Sequence, residues 1–396
     1  MRRLFLACLV ALALLSPRSG RAADFAADLE AAKGQTVDFF AWGGSPAING
    51  YVAWVADQVK DRFGIDLRHV KLADTSDAVA QVLAEKAAGR TEGGAIDLVW
   101  VNGENFRAMK EGGLLDGPFA AGLPNFALVD TASKPTTVDF TVPTGGYEAP
   151  WGSAQFVLIH DGAETPEAPD TLATLRAWIM AHPGRFTLPA PPDFVGTTFL
   201  KHLLIGLAGD GLDLSRPPPE DAAKALAPVR DWLEAVRPAL WRQGTAFPSS
   251  GPALHQLFED GAVDFTMAFN PAEAATYVED GRFPETTRSY ILKGGTIANV
   301  HFVAIPFDAG DKAGARVVAN FLLSPEAQAK KEDPAGWGDF TVLDMEKLDP
   351  VQRAMFEKLK RDPATPAPED LIPALPEPHP GWVSVLERFW AEGFGG

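Results

Sequence analysis

The stretch DFFAWGGSPAING, residues 38–50, carries a strand pattern into a helix pattern through two glycines. Val37, Phe39 and Ala41 alternate with their neighbours, and this period of two predicts a β-strand with one buried face. The strand pattern stops at Gly43 and Gly44, so the polar turn that follows lies at the carboxyl end of the predicted strand. The residues beyond the turn decide what kind of sheet this strand belongs to.

A helix is predicted directly after the turn. Ser45 suits its N-cap, Pro46 suits its first position, and Gly64 ends it. Its apolar face is formed by Ile48, Val52, Val55, Val59 and Phe63. The pattern then repeats: a strand over 65–72, a helix from Thr75 or Ser76 to Gly89, a strand over 96–101 and a helix from residue 106. This order predicts a parallel sheet with helices on both faces.

Ligands of such sheets bind beyond the carboxyl ends of the strands, at the loops that open the helices. The Gly43-Gly44-Ser45 turn and the Asn102-Gly103-Glu104-Asn105 loop both lie at such ends. The two loops therefore predict one shared site.

Residues after 161 predict a second α/β unit that repeats the first. The sequence predicts, in order, a helix over 171–180 behind an Asp170 cap, a strand over 185–188 and an apolar helix over 199–207 that Gly196-Thr197-Thr198 opens. A strand over 262–269 follows and ends at Asn270-Pro271-Ala272-Glu273. With 396 residues, the chain exceeds the usual limit for a single core, so two lobes are expected. Extended apolar runs at 149–159 and 296–306 are the predicted connections, with the ligand cleft between the lobes. We assign 24–150 and 304–396 to lobe 1 and 151–303 to lobe 2.

The amino terminus predicts export. Arg2 and Arg3 precede an apolar run over 4–15, and small residues follow near Ala22 and Ala23, which is typical of a signal peptide over 1–23. The mature chain then contains no cysteine, since Cys8 is the only one, and this excludes disulfides and thiolate chemistry. Its formal charge moves from -17 to -21 because four arginines leave with the signal peptide. So acidic a chain argues against nucleic acid and anionic membrane surfaces as partners.

Several stretches resemble the periplasmic solute-binding proteins of ATP-binding-cassette (ABC) importers. NFLLSPEAQ (320–328) resembles their late helix, while PWGSAQFVLIHD (150–161) and VHFVAIP (300–306) resemble the two hinge strands of the polyamine-binding members. DPAGWGDFTVLD (333–344) is most similar to the YnjB-type branch of the polyamine, thiamine and iron class. The resemblance implies a type II periplasmic binding fold, two α/β lobes that close on a solute, and delivery of the solute to a membrane permease.

The resemblance also implies which positions contact the solute. Polyamine binders place an acid in the second hinge strand and another after a strand of the second lobe. This chain has His301 at the first position and Ala272 or Glu273 near the second. Since an ammonium group in a cleft needs carboxylates, the solute class stays open. Iron-binding relatives use clustered tyrosines, and the four tyrosines of this chain include no adjacent pair, which argues against iron.

Each candidate has a structural alternative: the glycine turn and the asparagines also suit turns and caps, the tryptophans suit a core, and His301 suits a satisfied buried histidine. Ser153 and Gln155 share one face of a hinge strand, which is either the cleft or solvent. The predicted ligand-binding residues are Trp42, Gly43, Gly44, Ser45, Asn102, Glu104, Asn105, Trp151, Ser153, Gln155, Thr197, Thr198, Asn270, Glu273, Asn299 and His301.

We expect a monomeric, periplasmic solute-binding component of an ABC importer, with the permease subunits as partners and with no cofactor, metal or catalysis. The solute is a nitrogenous cation such as a thiamine-like compound, a polyamine or a quaternary amine, or else an anion or zwitterion at the helix starts. The alternative function is a secreted α/β hydrolase, although the chain has no Gly-x-Ser-x-Gly elbow.

Overall fold

A computed structural model describes residues 18–209, 211–334, 336–371 and 373–395. Arg2, Arg3 and the apolar run over 4–15 of the predicted signal peptide lie outside these residues. The strands are β1 (Thr36–Trp42), β2 (Asp66–Leu72), β3 (Leu98–Val101), β4 (Val138–Asp139), β5 (Val142–Pro143), β6 (Glu148–Gln155), β7 (Val157–Asp161), β8 (Phe265–Ala268), β9 (Thr287–Tyr290), β10 (Thr296–Ala304) and β11 (Ala374–Leu375).

The helices are α1 (Arg18–Ala31), α2 (Pro46–Phe63), α3 (Ser76–Ala87), α4 (Gly103–Glu111), α5 (Leu172–Ala181), α6 (Phe194–Leu207), α7 (Ala222–Ala225), α8 (Ala227–Val236), α9 (Gly251–Glu259), α10 (Glu273–Glu279), α11 (Lys312–Leu322), α12 (Pro325–Glu332), α13 (Pro350–Glu357) and α14 (Gly381–Gly393). None of the helices within the described ranges is both long and apolar enough to cross a membrane.

Lobe 1 is built on the predicted parallel strands. β1 pairs in parallel with β2 and with β3, and its residues alternate between buried and half-buried as the sequence pattern requires. Ser45 caps α2 by accepting from the backbone N–H of Ile48, and Gly64 ends the helix in the left-handed conformation, as predicted. β10 extends this sheet antiparallel to β3, and β6 and β11 pair with β10. The resulting sheet is mixed.

Lobe 2 does not repeat this arrangement, and that prediction was wrong. Its sheet has three antiparallel strands in the order β8-β7-β9. The predicted strand over 185–188 is not a strand, because its carbonyls accept from scattered partners: Arg185 from Asp264 and Phe186 from Trp241. Helices α5, α6, α8, α9 and α14 supply most of the rest of the lobe's core.

Two antiparallel strands cross between the lobes side by side. In β6, Trp151 packs in the core of lobe 1 and Ala154 in that of lobe 2. In β10, Val300 belongs to the first core and Ile297 to the second. The pairing of Val300 with Ser153 places both crossings at the same level, so β6 and β10 form one hinge.

The chain crosses a third time near its end. Phe356 still packs in lobe 1, whereas the buried apolar side chains that follow belong to the core of lobe 2: Ala364, Leu371, Trp382, Leu386, Phe389, Trp390 and Phe394. Assigning all of 304–396 to lobe 1 was therefore wrong for this C-terminal segment. The amphipathic pattern of α14 predicts a helix with one buried face but does not indicate which lobe that face packs against.

Three helix boundaries also differ from the sequence prediction. Thr171, not Asp170, caps α5, and it forms a reciprocal capping box with Thr174. Helix α6 begins at Phe194 because Asp193 accepts from the N–H groups of the first turn, so Gly196 lies inside the helix. The late helix expected to contain NFLLSPEAQ (320–328) is two helices, since Ser324 caps a new one that has Pro325 in its first turn.

Candidate functional site

The turn after β1 is shaped by close packing. A Cβ atom on Gly44 would overlap the ring of Trp42, and one on Gly43 would overlap the side chain of Lys71. Trp42 is half-buried and packs against the core of lobe 1. The Asn49 side chain donates to the carbonyl of Gly43 at 3.0 Å and fixes the turn to α2. The glycines are therefore explained by these contacts, and ligand contact by the residues of this turn stays a prediction.

The second predicted loop is attached to the hinge. Asn102 donates through Nδ2 to the carbonyl oxygen of Val300 at 2.5 Å and accepts from Trp100 Nε1 at 3.0 Å. Asn105 follows in the first turn of α4 and is half-buried. This places the end of β3 directly against the second hinge strand, so the loop and the hinge belong to one region.

Glu104, in the same loop, faces like charges from the other lobe. It is exposed to solvent, yet desolvation by the surrounding protein raises its pKa. Asp74 lies nearby, because its neighbour Thr75 donates to the carbonyl oxygen of Trp100 in β3, the strand that the Glu104 loop follows. Burial also raises the pKa of Glu387, in α14, to about 6, and the charges of Glu104 and Asp74 add to that shift. We call Asp74, Glu104 and Glu387 the acidic recess.

A buried ion pair borders the acidic recess. Lys201, in α6, donates to Glu377 Oε2 at 2.9 Å, and Asn299 Nδ2 donates to Glu377 Oε1 at 3.1 Å. The charge of Lys201 opposes the upward shifts in the pKa of Glu104 and of Glu387, so the pair and the recess are neighbours. Asn299 was predicted, but Lys201 and Glu377 were not. The available signal was a single charged residue within an otherwise uncharged helix, FVGTTFLKHLLIGL.

His301 belongs to a second buried cluster, in the hinge itself. His301 Nε2 lies 2.9 Å from Asp339 Oδ1, and Lys331 donates to Asp339 Oδ2 at 2.5 Å. Desolvation alone would raise the pKa of Asp339, but the charges and hydrogen bonds of His301 and Lys331 outweigh it and hold that pKa below its usual range. The indoles of Trp151 and Trp337 lie 5.6 and 5.3 Å from Lys331 Nζ.

Some predicted residues present little surface between the lobes. Trp151 is fully buried in the core of lobe 1. Gln155 is buried and donates to Thr296 and to the carbonyl of Leu371. Thr197 and Thr198 are buried in α6, where Thr198 donates to the carbonyl of Phe194. As second-turn residues of a helix capped by Asp193, they do not open it.

The remaining predicted residues hold the hinge region together. Asn270 donates to the carbonyl of Trp337 at 2.7 Å and so joins the end of β8 to the segment after α12. Ser153 exchanges backbone hydrogen bonds with Phe340 in the same segment. Glu273, in contrast, accepts within lobe 2 from His255 Nε2, at 3.1 Å.

Two buried carboxyl groups lie behind the Asn102 loop. Asp139 accepts from the backbone N–H of Gly103 at 2.6 Å, and neither oxygen of Glu148 has a partner among the described residues. Desolvation raises the pKa of both well above the usual range, and the charge of Asp139 adds to the shift of Glu148. Both groups are therefore most stable as neutral acids.

Glu148→Gln is expected to make the protein less sensitive to alkaline pH. A raised folded-state pKa contributes stability that is present below the unfolded pKa and is lost as pH rises towards the folded value. Between the unfolded and the folded pKa of Glu148, the unfolding free energy of the wild type should therefore fall by about 1.4 kcal/mol for each rise of one pH unit. Urea denaturation from about pH 5 to about pH 8 measures the slope. The exposed Glu92→Gln is the control, and parallel curves for wild type and Glu148→Gln would refute the assignment.

Comparisons with known proteins fit this arrangement. The family model for bacterial extracellular solute-binding proteins matches residues 53–344. Protein YnjB of Escherichia coli (strain K12) is 46% identical over 366 residues, which cover 92% of each chain. A putative spermidine/putrescine ABC transporter protein from Listeria monocytogenes superposes with a TM-score of 0.63 at 18% identity, covering 91% of this chain and 97% of its own. Iron-bound HitA from Pseudomonas aeruginosa gives 0.61 at 17%, covering 89% and 98%.

One solved structure is named for spermidine and putrescine and the other is bound to iron, so together they show the fold but do not identify the solute of this chain. The family match covers well over half of the chain, and the two-lobed mixed α/β architecture is that of the solved relatives. The chain therefore belongs to the bacterial extracellular solute-binding proteins, with the type II periplasmic binding fold predicted from its sequence.

Proposed function

We propose that this protein captures a small nitrogenous cation between its lobes, outside the cytoplasm, and delivers it to the permease of an ABC importer. The main support for this proposal is the acidic recess formed by Asp74, Glu104 and Glu387. Glu104 belongs to α4 of lobe 1 and Glu387 to α14, which packs in lobe 2, so closing the lobes brings like charges together. A cation placed between them removes that repulsion and favours the closed form.

The other charges nearby support a cation over an anion. Lys201 is already paired with Glu377, so Asp74, Glu104 and Glu387 remain as negative charges around the recess. An anionic solute would add to this repulsion. Membership in a family of binding proteins supports capture without catalysis, and nothing in the site favours the hydrolase alternative.

The first experiment is native mass spectrometry of the purified protein, followed by a thermal-shift screen that compares quaternary and primary ammonium compounds with carboxylates and phosphates. We expect organic cations, and not anions, to raise the melting temperature, with a shift that grows with the logarithm of their concentration above Kd. A dose-dependent shift with anions alone would overturn the proposed solute class.

Glu104→Gln and Glu387→Gln are each expected to weaken binding of the cation found in the screen by about tenfold, because each removes one attractive charge from a partly desolvated site. Affinity should also fall by about tenfold from pH 7.5 to pH 5, since burial raises the pKa of Glu387 to about 6 and only its ionised form attracts a cation. Isothermal titration calorimetry measures both effects. Glu92→Gln is the matched control, and an unchanged affinity in both recess variants would show that the solute binds elsewhere.

A further inference from the structure

The ammonium group of Lys201 lies in a cage of the kind that binds a cationic solute. Besides its ion pair with Glu377, Nζ lies 4.6 Å from the ring centroid of Phe140 and 5.7 Å from that of Phe194. A carboxylate together with aromatic faces is a favourable environment for an ammonium group. Lys201 is 2% exposed, so the chain itself fills this cage completely.

The walls of the cage come from both lobes. Phe140 lies between β4 and β5, and its ring packs so closely on Gly103 that a Cβ atom there would overlap it. Since Gly103 begins α4, this wall belongs to lobe 1, whereas Phe194 and Lys201 lie on α6 of lobe 2. The cage therefore closes only when the lobes come together.

The cage adjoins the acidic recess and has unused hydrogen-bonding capacity. Glu104 follows Gly103, which packs on the Phe140 ring, and Glu387 lies on α14, which packs against α6. The charge of Lys201 also opposes the rise in the pKa of both carboxyl groups. Thr197 Oγ1, one turn before Lys201 on the same helix, and Asn299 Oδ1 are both buried without a hydrogen-bond partner among the residues described. A buried polar group without a partner is costly, and these two accept hydrogen bonds from N–H donors.

We propose that Lys201 determines which cations the protein accepts. Its ammonium group occupies one of two adjoining cation positions, so the solute supplies a single positive charge for the acidic recess and linear diamines are rejected. This rests on the proposed function and specifies the substrate class of the same site. A diamine that reached from the recess into the cage would meet the volume and the charge of Lys201, which excludes the wrong solute by repulsion.

The test is Lys201→Ala, which empties the cage and leaves the Glu377 carboxylate in place. We expect the variant to bind α,ω-diaminoalkanes at least about tenfold more tightly than the wild type does, measured by calorimetry over a series of chain lengths. Lys201→Gln is the matched control: it removes the charge and keeps the cage filled, so it should bind diamines no better than the wild type.

Two further readouts keep the test decisive. Ethylammonium chloride should raise the melting temperature of Lys201→Ala above its value in sodium chloride of equal concentration, and it should leave that of the wild type unchanged. If Lys201→Ala does not fold alone, the same two salts are compared during refolding; recovery in ethylammonium only supports the proposal, and failure in both overturns it. No gain in diamine binding by a folded variant also overturns it.

The outcome separates this inference from the proposed function. Wild-type protein that binds a monocation, with no gain in Lys201→Ala, refutes the role of Lys201 and leaves the proposed function standing. Wild-type protein that binds no cation, with a clear gain in Lys201→Ala, refutes the proposed function and supports the cage.

Discussion

Gly152→Ala is expected to be among the most damaging single substitutions in this protein, lowering its unfolding free energy by about 3–5 kcal/mol. A Cβ atom at this position would overlap both Asp339 Oδ2 and Lys331 Nζ. These side chains are fully buried and bonded to each other at 2.5 Å, so neither can move aside without breaking the pair. The one added methyl group therefore removes a buried ion pair.

Denaturant unfolding of the two proteins measures this loss. Gly50→Ala is a suitable control because Gly50 is exposed in α2 and a Cβ atom there meets nothing within 4 Å. It should stabilise the protein by about 0.5–1 kcal/mol through helix propensity. A loss below about 1 kcal/mol in Gly152→Ala would contradict this prediction, because it would mean that Asp339 and Lys331 can move aside for the added Cβ atom without losing their ion pair.

Lys331→Met is expected to cost about 3–5 kcal/mol, because it leaves the buried Asp339 carboxylate without its closest cation. Methionine keeps most of the side-chain volume against Trp151 and Trp337, so the loss reports the missing charge. Lys33→Met, which breaks an exposed pair with Glu30 at the end of α1, should change stability by less than about 1 kcal/mol.

A double-mutant cycle with Asp339→Asn separates the charge from the packing. The double variant should be more stable than the sum of the two single losses implies, because it leaves no buried, unpaired charge at either position. Strictly additive losses would mean that Lys331 and Asp339 contribute independently, and that the ion pair is not what holds this part of the hinge.

The parts of the fold that could be predicted were those fixed by local signals. Ser45, Pro46 and Gly64 bound α2 through capping and backbone conformation, which depend only on neighbouring residues. β1 could be predicted because one of its faces is buried, which gives its sequence a period of two. The strand predicted over 185–188 was wrong because its hydrogen-bond partners, Asp264 and Trp241, lie far away in the chain, where local signals do not indicate them.

The candidate site was predictable only where a strand end marked it. Glu104 and Asn102 were found by their position after β3, and Asn299 by its place in a hinge strand. Glu377 and Glu387 reach the same region only because the chain crosses to lobe 2 near its end. Their sequence neighbourhoods, a proline-rich tail and an amphipathic helix, have no feature that indicates a site.

The third crossing also sets the order in which the protein can mature. Trp382, Phe389 and Phe394 complete the core of lobe 2, and they are made after the other described elements of that lobe. Until they arrive, β7 and α6 have no complete partner, although the residues that form them were made roughly two hundred residues earlier. The core of lobe 2 is therefore completed later than that of lobe 1, whose last packed helix, α13, ends before α14 begins.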